Sequence, residues 1–120
     1  MNSEDILDYY KEKYNMKERG FHGFRYLAFD DQTPWIISDG INPYTVNVQE
    51  DLIWSWKEKN GRVVDLIWSC DRGGGGKIYT CNQEFIDPLM DKLYKKYIQF
   101  CYELKQVKYK NKLKDIEKDF

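Results

Sequence analysis

The loop at residues 72–77 has the composition of a phosphate-binding turn. Its residues are Arg72, Gly73, Gly74, Gly75, Gly76 and Lys77. Consecutive glycines can expose backbone N–H groups that form an anion-binding concavity, and the flanking cations would hold a phosphate or nucleotide between them. The Walker pattern is not met, because it requires a Ser or Thr and a helix after the Lys, whereas Ile78 and a predicted strand follow. A flexible hairpin loop is the simpler interpretation, and a phosphate site is the alternative.

The three cysteines, Cys70, Cys81 and Cys101, are interpreted as reduced thiols. Cys70 and Cys81 flank the glycine loop, and as neighbours on adjacent strands they could form a disulfide or half of a metal site. The chain has one histidine and no CxxC motif, so no spacing offers four metal ligands. We predict two buried thiols, no metal and no cofactor.

One histidine and several acids are the remaining residues with catalytic potential. His22 lies in a predicted turn, and the sequence links it to neither a nucleophile nor an orienting carboxylate. Four acids could in principle hold a divalent metal: Asp30, Asp31, Glu84 and Asp87. Turn and helix-capping roles explain these acids equally well. We therefore assign no catalytic residue.

A tryptophan-rich hairpin at residues 51–70 is the predicted centre of the sheet. The pentapeptide DLIWS occurs twice, and Asn60-Gly61 between the copies suits a type I′ turn. With this turn at the tip, Trp54 lies opposite Ile67, so Trp54 and Trp68 project from opposite faces. A ribbon that is apolar on both faces needs cover on both, by a helix on one side and a further layer or a partner on the other.

The remaining elements predict a single α+β domain over residues 1–120. The parts are a short N-terminal helix, an antiparallel sheet and a long C-terminal helix, at residues 1–17, 24–81 and 88–118. Ser3 is the predicted cap of the first helix, and Asp87 caps the last helix with Pro88 at its first position. The fold class is a twisted antiparallel sheet of five or six strands flanked by the two helices.

The C-terminal helix carries apolar residues on two opposite faces. At 100° per residue, the second face contains Tyr94, Ile98, Tyr102, Tyr109, Leu113, Ile116 and Phe120. A helix over residues 88–118 would be about 46 Å long, which exceeds the size of a compact domain of this length. We predict that its end overhangs the sheet and that its second face binds a partner.

Composition and charge favour a folded protein with binding surfaces. The hydrophobic fraction of 42% and the aromatic fraction of 17% supply apolar area that a disordered chain lacks. Residues 1–91 carry ten basic and sixteen acidic groups, a net of −6, whereas residues 92–120 carry nine lysines and four acids, a net of +5. The lysines of this tail point to all sides of the predicted helix, with acids among them, which argues against a nucleic-acid interface. No apolar N-terminal segment indicates secretion or a membrane span.

We interpret the chain as a cytoplasmic, non-enzymatic protein-protein interaction module that self-associates through its C-terminal helix. Fifteen Lys against four Arg, as in AT-rich genomes, is a composition common in phage and mobile-element proteins, which include accessory and inhibitor proteins. The predicted interaction surface comprises Trp54, Trp56, Trp68, Tyr94, Ile98, Tyr102, Tyr109, Leu113, Ile116 and Phe120. The alternative is a nucleotide- or phosphate-binding protein, or a hydrolase, that uses the glycine loop.

Overall fold

The computed structural model describes residues 1–69 and 76–118, with side chains as far as residue 114. Within these ranges the chain forms two helices and seven strands, which confirms the predicted α+β class. In chain order the elements are α1 (Ser3–Lys13), β1 (Lys17–Phe21), β2 (Phe24–Ala28), β3 (Ile37–Asp39), β4 (Thr45–Gln49), β5 (Trp54–Lys59), β6 (Arg62–Trp68), β7 (Gly76–Thr80) and α2 (Gln83–Lys118).

The strands form two separate antiparallel sheets. The main sheet has the order β1-β2-β3-β4-β7, and β5 pairs only with β6. The prediction that the tryptophan hairpin lies at the centre of the sheet is therefore wrong. The reason is non-local: β7 returns to pair with β4, with Val48 opposite Lys77, and this pairing occupies the edge that the hairpin would have needed.

The first strand, β1, lies outside the predicted sheet of residues 24–81. His22 and Gly23 adopt φ angles of 50° and 81°, which are the left-handed conformations of a tight hairpin turn between β1 and β2. Every residue of β1 is exposed, so this edge strand has no hydrophobic alternation to signal it. Arg25 ties the hairpin to α1, because its guanidinium donates hydrogen bonds to Glu18 at 2.6 Å and to Asp8 at 2.8 Å.

The core lies between one face of the main sheet and the two helices. Its fully buried large side chains are Ile6, Leu7, Tyr10, Leu27, Ile36, Ile37, Val46, Val48, Leu52, Ile86, Met90 and Leu93. The cap of α1 is Asn2 rather than Ser3: the Asn2 side chain accepts from the Asp5 backbone N–H at 2.8 Å, and the Asp5 carboxylate accepts from the Asn2 N–H. This reciprocal pair is a capping box.

Helix α2 begins at Gln83, five residues earlier than predicted. Asn82 caps it, since its side-chain oxygen accepts from the Glu84 backbone N–H at 3.0 Å. Pro88 lies in the second turn, where its missing N–H costs one helical hydrogen bond. Asp87 is not the cap of this helix. Its carboxylate instead joins α2 to α1, because it accepts a hydrogen bond from the Tyr10 hydroxyl at 2.6 Å. This bond, together with burial, raises the pKa of Tyr10 far above its usual value.

The 36-residue helix α2 gives the molecule its elongated shape. The principal extents are 61 × 24 × 20 Å, and the radius of gyration is 17.3 Å, against about 14 Å for a compact domain of this length. The distal half of α2 extends beyond the main sheet. This distal half is not fully exposed to solvent, because the β5–β6 hairpin packs along one of its faces.

Candidate interaction site: the tryptophan hairpin and the distal half of α2

The register of the β5–β6 hairpin differs by one residue from the prediction. Asn60 and Gly61 form the turn as expected, with φ angles of 54° and 77°. A β-bulge between Lys57 and Glu58 then shifts the pairing. A one-residue shift moves every following side chain to the other face, so the prediction that the tryptophans project from opposite faces is wrong. One face of the ribbon carries Trp54, Trp56, Leu66 and Trp68.

This tryptophan face docks the hairpin onto α2. The Trp68 ring stacks on Phe100, with centroids 4.0 Å apart, and Trp54 meets both rings edge-on at 5.7 and 5.6 Å. The Trp54 indole N–H donates to Glu103 at 2.7 Å. The indole nitrogen of Trp68 is buried and has no hydrogen-bond partner within the described residues. Trp54 and Trp68, both predicted to be binding residues, thus act in this structure as anchors of the hairpin.

A second attachment lies near the tip of the hairpin. The Asn111 side-chain amide donates to the Val63 backbone oxygen at 3.0 Å. The hairpin therefore runs beside α2 from Phe100 to Asn111, and two grooves open along this contact among the described residues.

The groove towards the main sheet, the sheet-side cleft, has a volume of about 810 Å³. It lies between the loop before β3, strand β6 and α2, and aromatic side chains in its walls include Trp35, Trp68 and Phe100. Arg19 holds the loop wall in place, because its guanidinium donates to the Asp30 and Thr33 backbone oxygens at 3.0 and 3.1 Å.

The end of the predicted glycine loop that the structure describes is part of β7. A Cβ added to Gly76 would lie 2.5 Å from the Trp35 ring, so this glycine is required by the close approach of the indole. Lys77 is exposed and lies opposite Val48. Arg72, Gly73, Gly74 and Gly75 lie outside the described residues, so the predicted phosphate site remains a prediction.

The other groove, the tip groove, has a volume of about 530 Å³ and opens beside the hairpin turn. Its lining residues are Trp56, Gly61, Arg62, Val63, Val107, Lys110, Asn111, Leu113 and Lys114. Trp56 is 66% exposed, although it belongs to the tryptophan face, so its ring is open to solvent. Sequence reasoning missed Arg62, Lys110 and Lys114 as a group, and the i, i+4 spacing of the two lysines was the local signal for it.

The second apolar face of α2 divides into a half-buried and an exposed part. Tyr94 is half-buried and packs against the core, with its ring 4.8 Å from Tyr14 and 5.5 Å from Phe29. The exposed part, the outward stripe, is defined by Ile98, Tyr102, Tyr109 and Leu113, which are 48%, 64%, 61% and 42% exposed. The Ile116 side chain and Phe120 lie beyond the described part of the chain.

Asp30 and His22, considered for metal binding and catalysis, contact neighbouring residues. The Asp30 carboxylate accepts from the backbone N–H groups of Gln32 and Thr33 at 2.7 and 2.9 Å and from the Tyr97 hydroxyl at 2.7 Å. His22 is exposed in the β1–β2 turn, with its ring 4.1 Å from that of Phe21. No group of three potential metal ligands occurs among the described residues.

Cys81 and Cys101 are half-buried free thiols in the part of the chain that the structure describes. Burial raises the pKa of the Cys81 thiol, which disfavours the reactive thiolate. Cys70, the predicted neighbour of Cys81, lies outside the described residues.

No protein-family model, no curated protein and no solved structure matches this chain. Within residues 1–69 and 76–118, neither helix has a segment that is long and apolar enough to span a membrane. Function is therefore inferred from the exposed surface of the molecule.

Proposed function

We propose that the protein is a protein-binding module that forms an antiparallel homodimer through the outward stripe. The observation that carries this proposal is the exposure of four large apolar side chains along one line of a helix that overhangs the main sheet. Grouped apolar exposure of this kind is a mark of interaction sites on small proteins.

The spacing of the stripe supports a second copy of the chain as the partner. Successive residues of the stripe, in the order Ile98, Tyr102, Tyr109 and Leu113, are four, seven and four residues apart. This series of intervals is the same in both directions along the helix. In an antiparallel pair with a two-fold axis between residues 105 and 106, Tyr102 meets Tyr109 of the second copy. Ile98 meets Leu113 of the second copy. Each apolar side chain then has an apolar partner, as an isologous interface requires.

Charge favours the antiparallel arrangement over the parallel one. Residues 105–114 contain five lysines and no acid, whereas residues 97–106 contain one lysine and Glu103. A parallel pair would place the two lysine-rich segments side by side, where like charges repel. The antiparallel pair sets each lysine-rich segment against the lysine-poor part of the other helix.

The expected affinity is modest. Full burial of a large apolar side chain is worth roughly 1.5–3 kcal/mol, and these eight side chains are about half exposed, so the gross gain is about 6–12 kcal/mol. Lost rotational and translational freedom subtracts several kcal/mol. We therefore expect a dimer with a dissociation constant in the micromolar range or weaker.

Sedimentation equilibrium from about 10 to about 500 µM tests the proposal, because this range brackets the expected dissociation constant. The wild type should pass from the 14.5 kDa monomer to twice that mass. Tyr102→Lys and Tyr109→Lys should each keep the protein monomeric, because a buried unpaired charge opposes association. The matched control is Phe85→Lys, which changes a 71% exposed residue of α2 outside the stripe and should still dimerise. A wild type that stays monomeric throughout this range would refute the proposal.

A further inference from the structure

We propose that the tip groove binds single-stranded nucleic acid, with a base stacked on Trp56 and the phosphate backbone held by Arg62, Lys110 and Lys114. This inference rests on the hairpin docking and does not depend on the proposed dimer. Leu113 borders both the groove and the outward stripe, so it is left out of the test below.

The first observation is an exposed aromatic face in a groove with apolar walls. Trp56 is 66% exposed, and Val63 and Val107 line the groove with it. A Cβ added at Gly61 would meet no atom within 4 Å, so the approach over the hairpin turn is open. Aromatic side chains at a groove are the stacking platforms of single-strand binding proteins, because every base has a π face.

The second observation is the distribution of charge at this end of the molecule. The hairpin tip at residues 57–62 and the distal part of α2 at residues 104–118 together carry nine basic and three acidic residues. The rest of the chain carries ten basic and seventeen acidic residues. This end of the molecule thus has a net positive charge, and a polyanion is attracted to it although the overall net charge is −1.

The helix lysines considered alone argued against a nucleic-acid interface, and the position of the hairpin changes that conclusion. Considered without the hairpin, those lysines point to all sides of α2. The bond from Asn111 to Val63 holds the hairpin tip against the helix, so that Arg62 lines the same groove as Lys110 and Lys114. Three basic residues from two elements thus line the same groove as Trp56.

A nucleic-acid strand fits these features better than an acidic peptide does. A peptide carboxylate would contact the cations, but the side chains of acidic residues have no aromatic ring to stack on the indole face. A strand supplies both phosphates and bases, and it can extend from the groove to further lysines of the basic end, which are Lys57, Lys59, Lys105, Lys108 and Lys112. The strand must be single, because a base that stacks on the indole cannot remain in a duplex.

Fluorescence anisotropy with a labelled oligothymidylate of about 15 nucleotides tests this site, because it exceeds the footprint of one small domain. We expect saturable binding at low salt that weakens as salt rises. Trp56→Ala should lower the affinity by about tenfold or more, whereas Trp56→Phe should retain most of it. Lys110→Ala and Lys114→Ala should each weaken binding several-fold, and Lys17→Ala, an equal charge change at the exposed strand β1, should not.

Three results would overturn the proposal. The first is the absence of saturable binding at low salt by the wild type. The second is an equal loss of affinity for Lys17→Ala and Lys110→Ala, which would indicate diffuse attraction without a site. The third is tighter, Trp56-dependent binding of a poly-glutamate peptide than of the oligothymidylate, which would assign the groove to an acidic protein segment. Circular dichroism confirms that each variant is folded, and the high exposure of Trp56 makes retention of the fold the expected result.

Discussion

At the scale of single residues, the three hairpin tryptophans differ in what surrounds them. Trp68 packs on Phe100 and against the core, Trp54 bonds to Glu103, and Trp56 faces solvent. Sequence alone identified all three as important, because tryptophan is large and rarely without a role. It could not separate the anchors from the exposed ring, since all three lie on one face of the hairpin and the difference depends on where that face meets α2.

The first prediction concerns this difference between anchor and exposed ring. Trp68→Ala should lower the free energy of unfolding by about 3 kcal/mol, because it removes the stacking partner of Phe100 and leaves a cavity. Trp56→Ala, the same chemical change at an exposed site, should cost less than about 1 kcal/mol. Urea denaturation measures both values. Equal shifts of the two midpoints would contradict the packing of Trp68 on Phe100 and the exposure of Trp56.

A second residue-scale prediction compares two glycines in strands. Gly76→Ala should destabilise the protein by about 1–3 kcal/mol, because the new methyl group would overlap the Trp35 ring. Gly20→Ala, at a site with no atom within 4 Å of an added Cβ, should be neutral or slightly stabilising. Thermal denaturation of the two variants provides the comparison. A Gly76→Ala protein as stable as Gly20→Ala would show that the indole is not held against β7.

At the scale of elements, the sequence predicted features that depend on neighbouring residues. It did not predict features that depend on contacts between distant parts of the chain. The Asn60-Gly61 turn follows from the φ angles that these two residues tolerate. The early start of α2 could not be predicted, because Ile86 extends the helix by packing in the core, and its burial depends on the rest of the fold. The pairing of β7 with β4 could not be predicted either, because it joins strands that are far apart in the sequence. The tip groove could not be predicted for the same reason, since it exists only where the hairpin docks on α2.

The contact between α1 and the β1–β2 hairpin gives a prediction about pH. Hydrogen bonds from Arg25 lower the pKa of Glu18 below its usual value. A carboxyl group with a lowered pKa in the folded state contributes stability above its unfolded pKa and loses it as the pH falls through the folded value. The melting temperature of the wild type should therefore fall more steeply below about pH 4.5 than that of Glu18→Gln. Parallel melting curves of the two proteins across this range would contradict the ion pair.

At the scale of the whole molecule, the shape and the charge separation lead to the two functional proposals. A helix of 36 residues cannot be covered by a sheet of five short strands, so its distal half presents one face to the hairpin and another to solvent. Sequence reasoning predicted the overhang from length alone. Which residues of the second face are exposed could not be predicted, because Tyr94 packs against the core beside Phe29.

Disulfide trapping tests the antiparallel dimer most directly. In a chain with its three native cysteines replaced by serine, Ile98→Cys and Leu113→Cys are made separately, oxidised alone and oxidised as an equal mixture. Because Ile98 meets Leu113 of the second copy in the proposed dimer, the mixture should form cross-linked dimers and each single variant should form few. Efficient cross-linking of each variant alone would demonstrate a parallel pair, and no cross-linking in the mixture would contradict self-association through the outward stripe.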